Sequence, residues 1–148
     1  MYLTIIILTL KLEFMKLISS LLGRFLFSLI FIISGFSHFS APTISYAASK
    51  GVLMPEILVP FSGIMALVGA FSILLGYKAK FGAVIIILFL VPVTFTMHQF
   101  WNVTDAMQHQ LEFVMFLKNL SMLGGAILIA IWGSGPYSLD EQITTIKS

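Results

Sequence analysis

Four apolar runs dominate the chain: Leu17 to Phe36, Ile57 to Leu75, Phe81 to Met97 and Phe113 to Trp132. Each approaches the roughly 20 residues that a helix needs to cross the hydrocarbon core of a bilayer. Stretches such as Val84 to Val91 are apolar at every position, whereas the strands of a membrane barrel alternate polar and apolar residues, and an open sheet in lipid would leave backbone groups unpaired. The pattern predicts an all-α membrane protein, with four transmembrane helices in an antiparallel bundle. The polar breaks differ in kind. Ser37 to Glu56 is long and holds Pro42, Gly51 and Pro55, the last suited to the first turn of the second helix. Gly76 to Lys80 is a tight turn opened by a glycine that can cap the preceding helix. His98 to Glu112 carries Trp101, Asn102 and Asp105 but no Lys or Arg, and Gly133-Ser134-Gly135-Pro136 stops the last helix.

Composition narrows the reading further. Of 148 residues, 59% are apolar and 9% charged, with mean hydropathy +1.05, against about 25% charged in an ordinary soluble domain. About four crossings leave no room for a separate soluble catalytic domain. The chain has no cysteine, which excludes a thiol relay, a thiolate zinc site, a cysteine-ligated iron–sulfur cluster and covalent c-type haem within it. Any redox chemistry would belong to a bound molecule or a partner. A net charge of +2 is too weak and dispersed for nucleic acid, but it orients the bundle. With both termini cytoplasmic, that side holds Lys11, Lys16, Lys78, Lys80 and Lys147 and the other side only Lys50, the bias that basic residues show toward the cytoplasm. Residues 1–14 stand apart. Leu3 to Leu10 is too short to span, Lys11, Glu13 and Lys16 interrupt it, and it lacks the charge order and cleavage site of a signal peptide. It reads as an interfacial segment or, preferably, an upstream extension, because Met15 onward already makes a complete first helix with its basic flank. The membrane domain is expected over residues 15–140, with a short tail over 141–148.

Two cations fall inside the runs, Arg24 in the first and Lys118 in the fourth. Each would cost about 2.5 to 3.5 kcal/mol at a helix centre on insertion scales, so it must snorkel to the headgroups or find a neighbour. For Arg24 the candidate is Asp140, brought back to the same face by the Gly-rich exit, as a brace for the tail. For Lys118 it is Glu56 at the start of the second helix, because Glu112 lies about 120° round the helix from Lys118. Pro92, inside the third run, deprives the Leu88 carbonyl of its helical donor, a role open to Lys118 or Asn119.

All three histidines, His38, His98 and His109, fall at the opposite face with Trp101, Glu112, Lys118 and Asn119. Trp and His also populate any lipid–water boundary, so this polar and aromatic rim is ambiguous. His109 and Glu112 have the i, i+3 spacing of di-metal bundle ligands, but the other helices bring no acid inside their runs and no metal is expected. His38 and His98 sit at helix ends, poorly placed for a b-type haem. A small carbonyl-bearing lipid such as a quinone fits better, its ring in an apolar slot and its oxygens on polar donors. His98, Trp101, Lys118 and Asn119 form the candidate ligand-binding set, and Arg24, Asp140, His38, Glu56 and Glu112 the structural polar set. Ser62, Ala66 and Ala70, and Ser121 with Gly125, recur every four residues and permit close helix packing. A nucleophile–base pair, a phosphate loop and paired intramembrane carboxylates are all missing from the sequence, so no motif makes this chain an enzyme by itself.

Arg24 through Ile33-Ser34-Gly35 to His38, the Gly76 turn, His98-Gln99-Phe100-Trp101, Lys118-Asn119-Leu120 with Gly124-Gly125, and the ending Gly135-Pro136-Tyr137-Ser138-Leu139-Asp140 together resemble the DoxX family. These are small bacterial four-helix inner-membrane proteins. The resemblance covers roughly Met15 to Asp140 and implies a multi-pass inner-membrane protein. The family is named for similarity to subunits linked to thiosulfate:quinone oxidoreduction, and some members associate with membrane oxidoreductase complexes. That implies an accessory, quinone-interacting subunit, with the lipid bilayer and other oxidoreductase subunits as partners. The alternative is a non-catalytic membrane scaffold that holds partner proteins through its small-residue faces. Disulfide chemistry of related membrane families does not carry over to a chain without cysteine.

Overall fold

The structure is a computed structural model that describes residues 2–147. It comprises α1 (Tyr2–Ser37), α2 (Ala41–Ser49), α3 (Pro55–Leu75), α4 (Ala79–Met97), a 3-10 turn (Phe100–Asn102), α5 (Ala106–Trp132) and α6 (Leu139–Lys147). Among the described residues, α1, α3, α4 and α5 are the helices long and apolar enough to cross a membrane. The four expected spans are all present, and their edges move for local reasons. α1 runs unbroken from Tyr2 instead of starting at Leu17, because nothing in that stretch breaks a helix; at 1.5 Å per residue it is about 54 Å long. α5 starts at Ala106 instead of Phe113 because Asp105 caps it, its carboxylate accepting from the Gln108 N–H at 2.8 Å. The first connector folds as α2, with Ser40 at the N-cap and proline in the first turn.

The helices pack in the order α1, α3, α4, α5. Two glycine pairs set the closest crossings. A Cβ on Gly63 of α3 would lie 2.8 Å from the Gly35 carbonyl of α1, and one on Gly69 would lie 2.9 Å from the Gly82 carbonyl of α4. Bare backbones therefore touch, as small residues in membrane helices allow. Ala66 and Ala70 are fully buried as expected, but Ser62 sits beside the crossing residue and Ser121 is exposed. Gly125 meets the Phe27 ring of α1. The core between these crossings is Phe31, Ala66, Ala70, Ile73, Ala83, Ile86, Phe89, Leu90 and Ala126.

At the end where α3 stops and α4 begins, the tail is tied down, though not by the pair the sequence suggested. Arg24 is buried and donates from Nη2 to the Tyr137 carbonyl at 2.8 Å. Its Nε and Nη1 have no hydrogen-bond partner among the described residues. Its guanidinium packs against Gly76, at the negative end of the α3 dipole, which offsets part of the charge. Asp140 turns to α4 instead, where its carboxylate accepts from the Lys78 and Ala79 N–H groups at 2.8 and 3.1 Å. The positive end of α4 holds an aspartate better than a competing side chain would, because two orphan amides converge there. We call this the tail end. At the other end α2 lies against α3, followed by Gly51 (φ 83°) and Met54 (φ 45°). Met54 adopts the left-handed conformation directly before Pro55, where residues are normally held extended. Such a conformation stores about 1 to 3 kcal/mol of strain.

Candidate functional site

A single carboxylate organises the α2 end. Glu112, in the second turn of α5 and 3% exposed, collects four donors. Its Oε1 accepts from Lys50 Nζ at 2.9 Å, Gln108 Nε2 at 3.1 Å and Tyr46 Oη at 3.4 Å, while Oε2 meets His98 Nδ1 at 2.9 Å. A carboxylate can only accept, so His98 carries its proton on Nδ1. Burying an ion pair is tolerable only when the remaining lone pairs are satisfied, and this arrangement satisfies them. The hydrogen bond to Glu112 is the largest effect raising the Lys50 ammonium above its ordinary 10.5. On the alkaline side the pair's contribution therefore holds up to pH 10.5 and fades as pH climbs through the raised value. An aromatic cluster flanks it, with Phe100 edge-on to Trp101, His109, Phe113 and Phe116 at centroid distances of 5.1 to 5.6 Å.

On the other side of α2 lies an apolar cavity of about 490 Å³, a size that suits a small lipophilic ligand. Thr43, Ala47 and Gly51 form its roof, α3 and α4 its walls, and His38 with Phe89 its inner part. Phe61, Leu88 and Pro92 on its rim are exposed on membrane-spanning helices, so this side opens toward lipid. His38 Nδ1 lies 2.6 Å from the Ser34 carbonyl, which fixes the proton on Nδ1 and leaves Nε2 as an acceptor in the neutral ring. Pro92 leaves the Leu88 carbonyl without an amide four residues on. Among the described residues neither Lys118 nor Asn119 supplies the missing donor. Ser62 on the wall and Thr43 in the roof have their hydroxyls engaged with the Val59 carbonyl and with Ser40.

The residues expected to bind together are dispersed. His98 turns to Glu112, and exposed Trp101 meets Phe100 and Phe116 edge-on. Lys118 is exposed with its Nζ near Met115 Sδ at 3.2 Å, so it does not pair with Glu56, which is itself exposed. Asn119 is buried on the same face of α5 as Glu112. Of the candidate ligand-binding and structural polar residues, His38 lines the cavity. Among the described residues no three His, Cys, Asp or Glu side chains converge as a metal site would require. Lys50, Tyr46 and Gln108 were missed. Their signal was the i, i+4 spacing of Tyr46 and Lys50 and of Gln108 and Glu112, which shows only once both segments are read as helices.

Comparison with known proteins places this architecture. A DoxX family profile matches residues 19–99, and the Escherichia coli inner membrane protein YphA is 34% identical over 125 residues, 82% of this chain and 88% of YphA. The chain belongs to the DoxX family. A second E. coli inner membrane protein, YqjF, is 30% identical over 125 residues, 83% of this DoxX protein and 90% of YqjF. The yeast ER-derived vesicles protein ERV29 is 29% identical over 82 residues, 55% of this chain and 26% of ERV29. No solved structure gives a significant match. The segment matched by the DoxX profile contains every residue lining the cavity, together with Lys50 and His98, whereas Glu112 comes from beyond it. The protein is thus a DoxX-family integral membrane protein.

Proposed function

We propose that this DoxX protein is an accessory subunit of a membrane oxidoreductase system that holds a quinone-class molecule in the cavity beneath α2. The observation that carries the reading is a pair of hydrogen-bond acceptors on an apolar wall, His38 Nε2 and the Leu88 carbonyl freed by Pro92. Hydroxyl groups on a ring can donate to such acceptors, whereas ring carbonyls cannot while His38 is neutral, so the reduced quinol is the preferred form. The side opening between α3 and α4 suits a ligand that arrives from lipid. The tail end, which gathers Lys16, Lys78 and Lys80 around Gly133-Ser134-Gly135, faces the cytoplasm on this reading, and Lys50 lies on the opposite side. A scaffold role would have to use other surfaces, because the small residues of α3 are occupied by α1 and α4.

The test is equilibrium binding of short-chain ubiquinol and ubiquinone to the purified protein in nanodiscs. We expect quinol to bind about tenfold more tightly than quinone, and His38→Leu to remove about tenfold of that affinity, the worth of roughly one hydrogen bond. Equal, weak partitioning of both forms, unchanged by His38→Leu, would refute the assignment.

A further inference from the structure

We infer that α2 is a releasable roof, latched by Lys50 and Tyr46 to Glu112, that separates the lipid-open cavity from the water at the α2 end. This rests on the cavity being a binding site, as proposed above, and concerns how it is closed. The two faces of α2 do different jobs. Thr43, Ala47 and Gly51 look onto the cavity, while Tyr46 and Lys50, spaced one helical turn apart, reach across to α5.

Little else holds α2 in place. It has nine residues, too few to be stable alone, and its single fully buried side chain is Ala47, which contributes little apolar area. The linker that follows is poised to move. Gly51 has positive φ, and Met54 is held in its strained conformation before Pro55, so the linker joins a conformationally free residue to a strained one. Opposing movement of α2 are the hydrogen bonds to a carboxylate otherwise sealed from solvent. The groups that face Glu112 are Lys50 and Tyr46 from α2, His98 from the end of α4 and Gln108 from α5 itself. When α2 leaves, His98 and Gln108 stay with Glu112, so the carboxylate is not stranded and the roof can move without unfolding α5. With the latch closed, the cavity communicates with lipid. With it open, the cavity joins lipid to the aqueous phase, a route by which a lipophilic molecule can pass to a partner docked at that end.

The absence of native cysteine makes the test direct. Ser62→Cys puts one thiol on the cavity wall, and its reaction rate with a charged, membrane-impermeant methanethiosulfonate is measured in proteoliposomes with the α2 end outward. We expect slow labelling in the otherwise native chain and about a tenfold faster rate with Lys50→Gln or Glu112→Gln. Ser28→Cys, at a fully buried position of α1 outside the cavity lining, serves as the fold control and should stay at its slow rate in every background. If Glu112→Gln loosens the whole bundle, seen as faster Ser28→Cys labelling, Lys50→Gln decides alone. Unchanged Ser62→Cys rates in Lys50→Gln overturn the latch. Protection of the thiol by short-chain ubiquinol reads the functional proposal separately: faster labelling without protection upholds the latch and refutes the quinol.

Discussion

Gly63→Val is expected to cost about 3 kcal/mol or more, the upper range for overpacking a tight interior, and to lower the thermal unfolding midpoint of the detergent-solubilised protein accordingly. The reason is geometric. A Cβ at this position lies 2.7 Å from His38 Cβ and 2.8 Å from the Gly35 carbonyl. The second contact is backbone, so no side-chain rotation relieves it and α1 must move away from α3. The same displacement shifts His38, which lines the cavity, so the substitution should weaken ligand binding as well as the fold. Gly124→Ala supplies the contrast. Nothing lies within 4 Å of its Cβ, and exchanging glycine for alanine in a helix gains about 0.5 to 1 kcal/mol. Helix content followed by circular dichroism during heating checks both. A midpoint for Gly63→Val equal to that of the unmodified chain would mean that the helices do not cross where the structure puts them.

The second large effect belongs to the Lys50–Glu112 pair. Lys50→Ala leaves a carboxylate that is 3% exposed with His98, Gln108 and Tyr46 as its remaining partners. Breaking a buried pair from one side typically costs about 3 to 5 kcal/mol. Because Lys50 is 25% exposed and α2 can yield to admit water, the expected loss is about 2 to 3 kcal/mol, below that range. Glu112→Ala strands a partly hydrated ammonium and should cost less. Lys50→Met combined with Glu112→Leu removes both charges and should recover most of the stability, since apolar replacement of a buried pair is often neutral. A double-mutant cycle on the unfolding midpoint measures this coupling. Strict additivity of the single substitutions would mean that the two side chains do not interact.

The four spans were legible because each is a long, uniformly apolar run, and a bilayer accepts few backbone forms. Their ends were less so. The apolar run of α5 begins only at Phe113, after the polar Gln108, His109 and Glu112, yet Asp105 caps a helix that carries them inward. That boundary is what concealed the site: with Glu112 outside the span it looked like a rim residue, and with it inside it becomes the buried acid that the α2 end is built around. The same sensitivity affected Arg24 and Asp140. Their placement at one end was readable from topology, but not their partners, because backbone carbonyls and amides at helix ends compete with side chains and leave no mark in the sequence. Lys118 reads as a buried cation from its position in the run, and the direction it faces depends on the rotation of α5, which the nearly continuous apolar sequence leaves open.

The chain's two tryptophans stand at opposite ends of the bundle, one in the 3-10 turn before α5 and one at the last residue of α5. Trp101 is against the aromatic cluster beside the α2 end, and Trp132 is at the tail end next to Lys80 and Gly133. Both are half or more exposed. Intrinsic fluorescence thus comes from two emitters, one near each bilayer boundary, and a water-soluble quencher confined to one compartment will dim one of them and spare the other, giving the protein's sidedness without any added label.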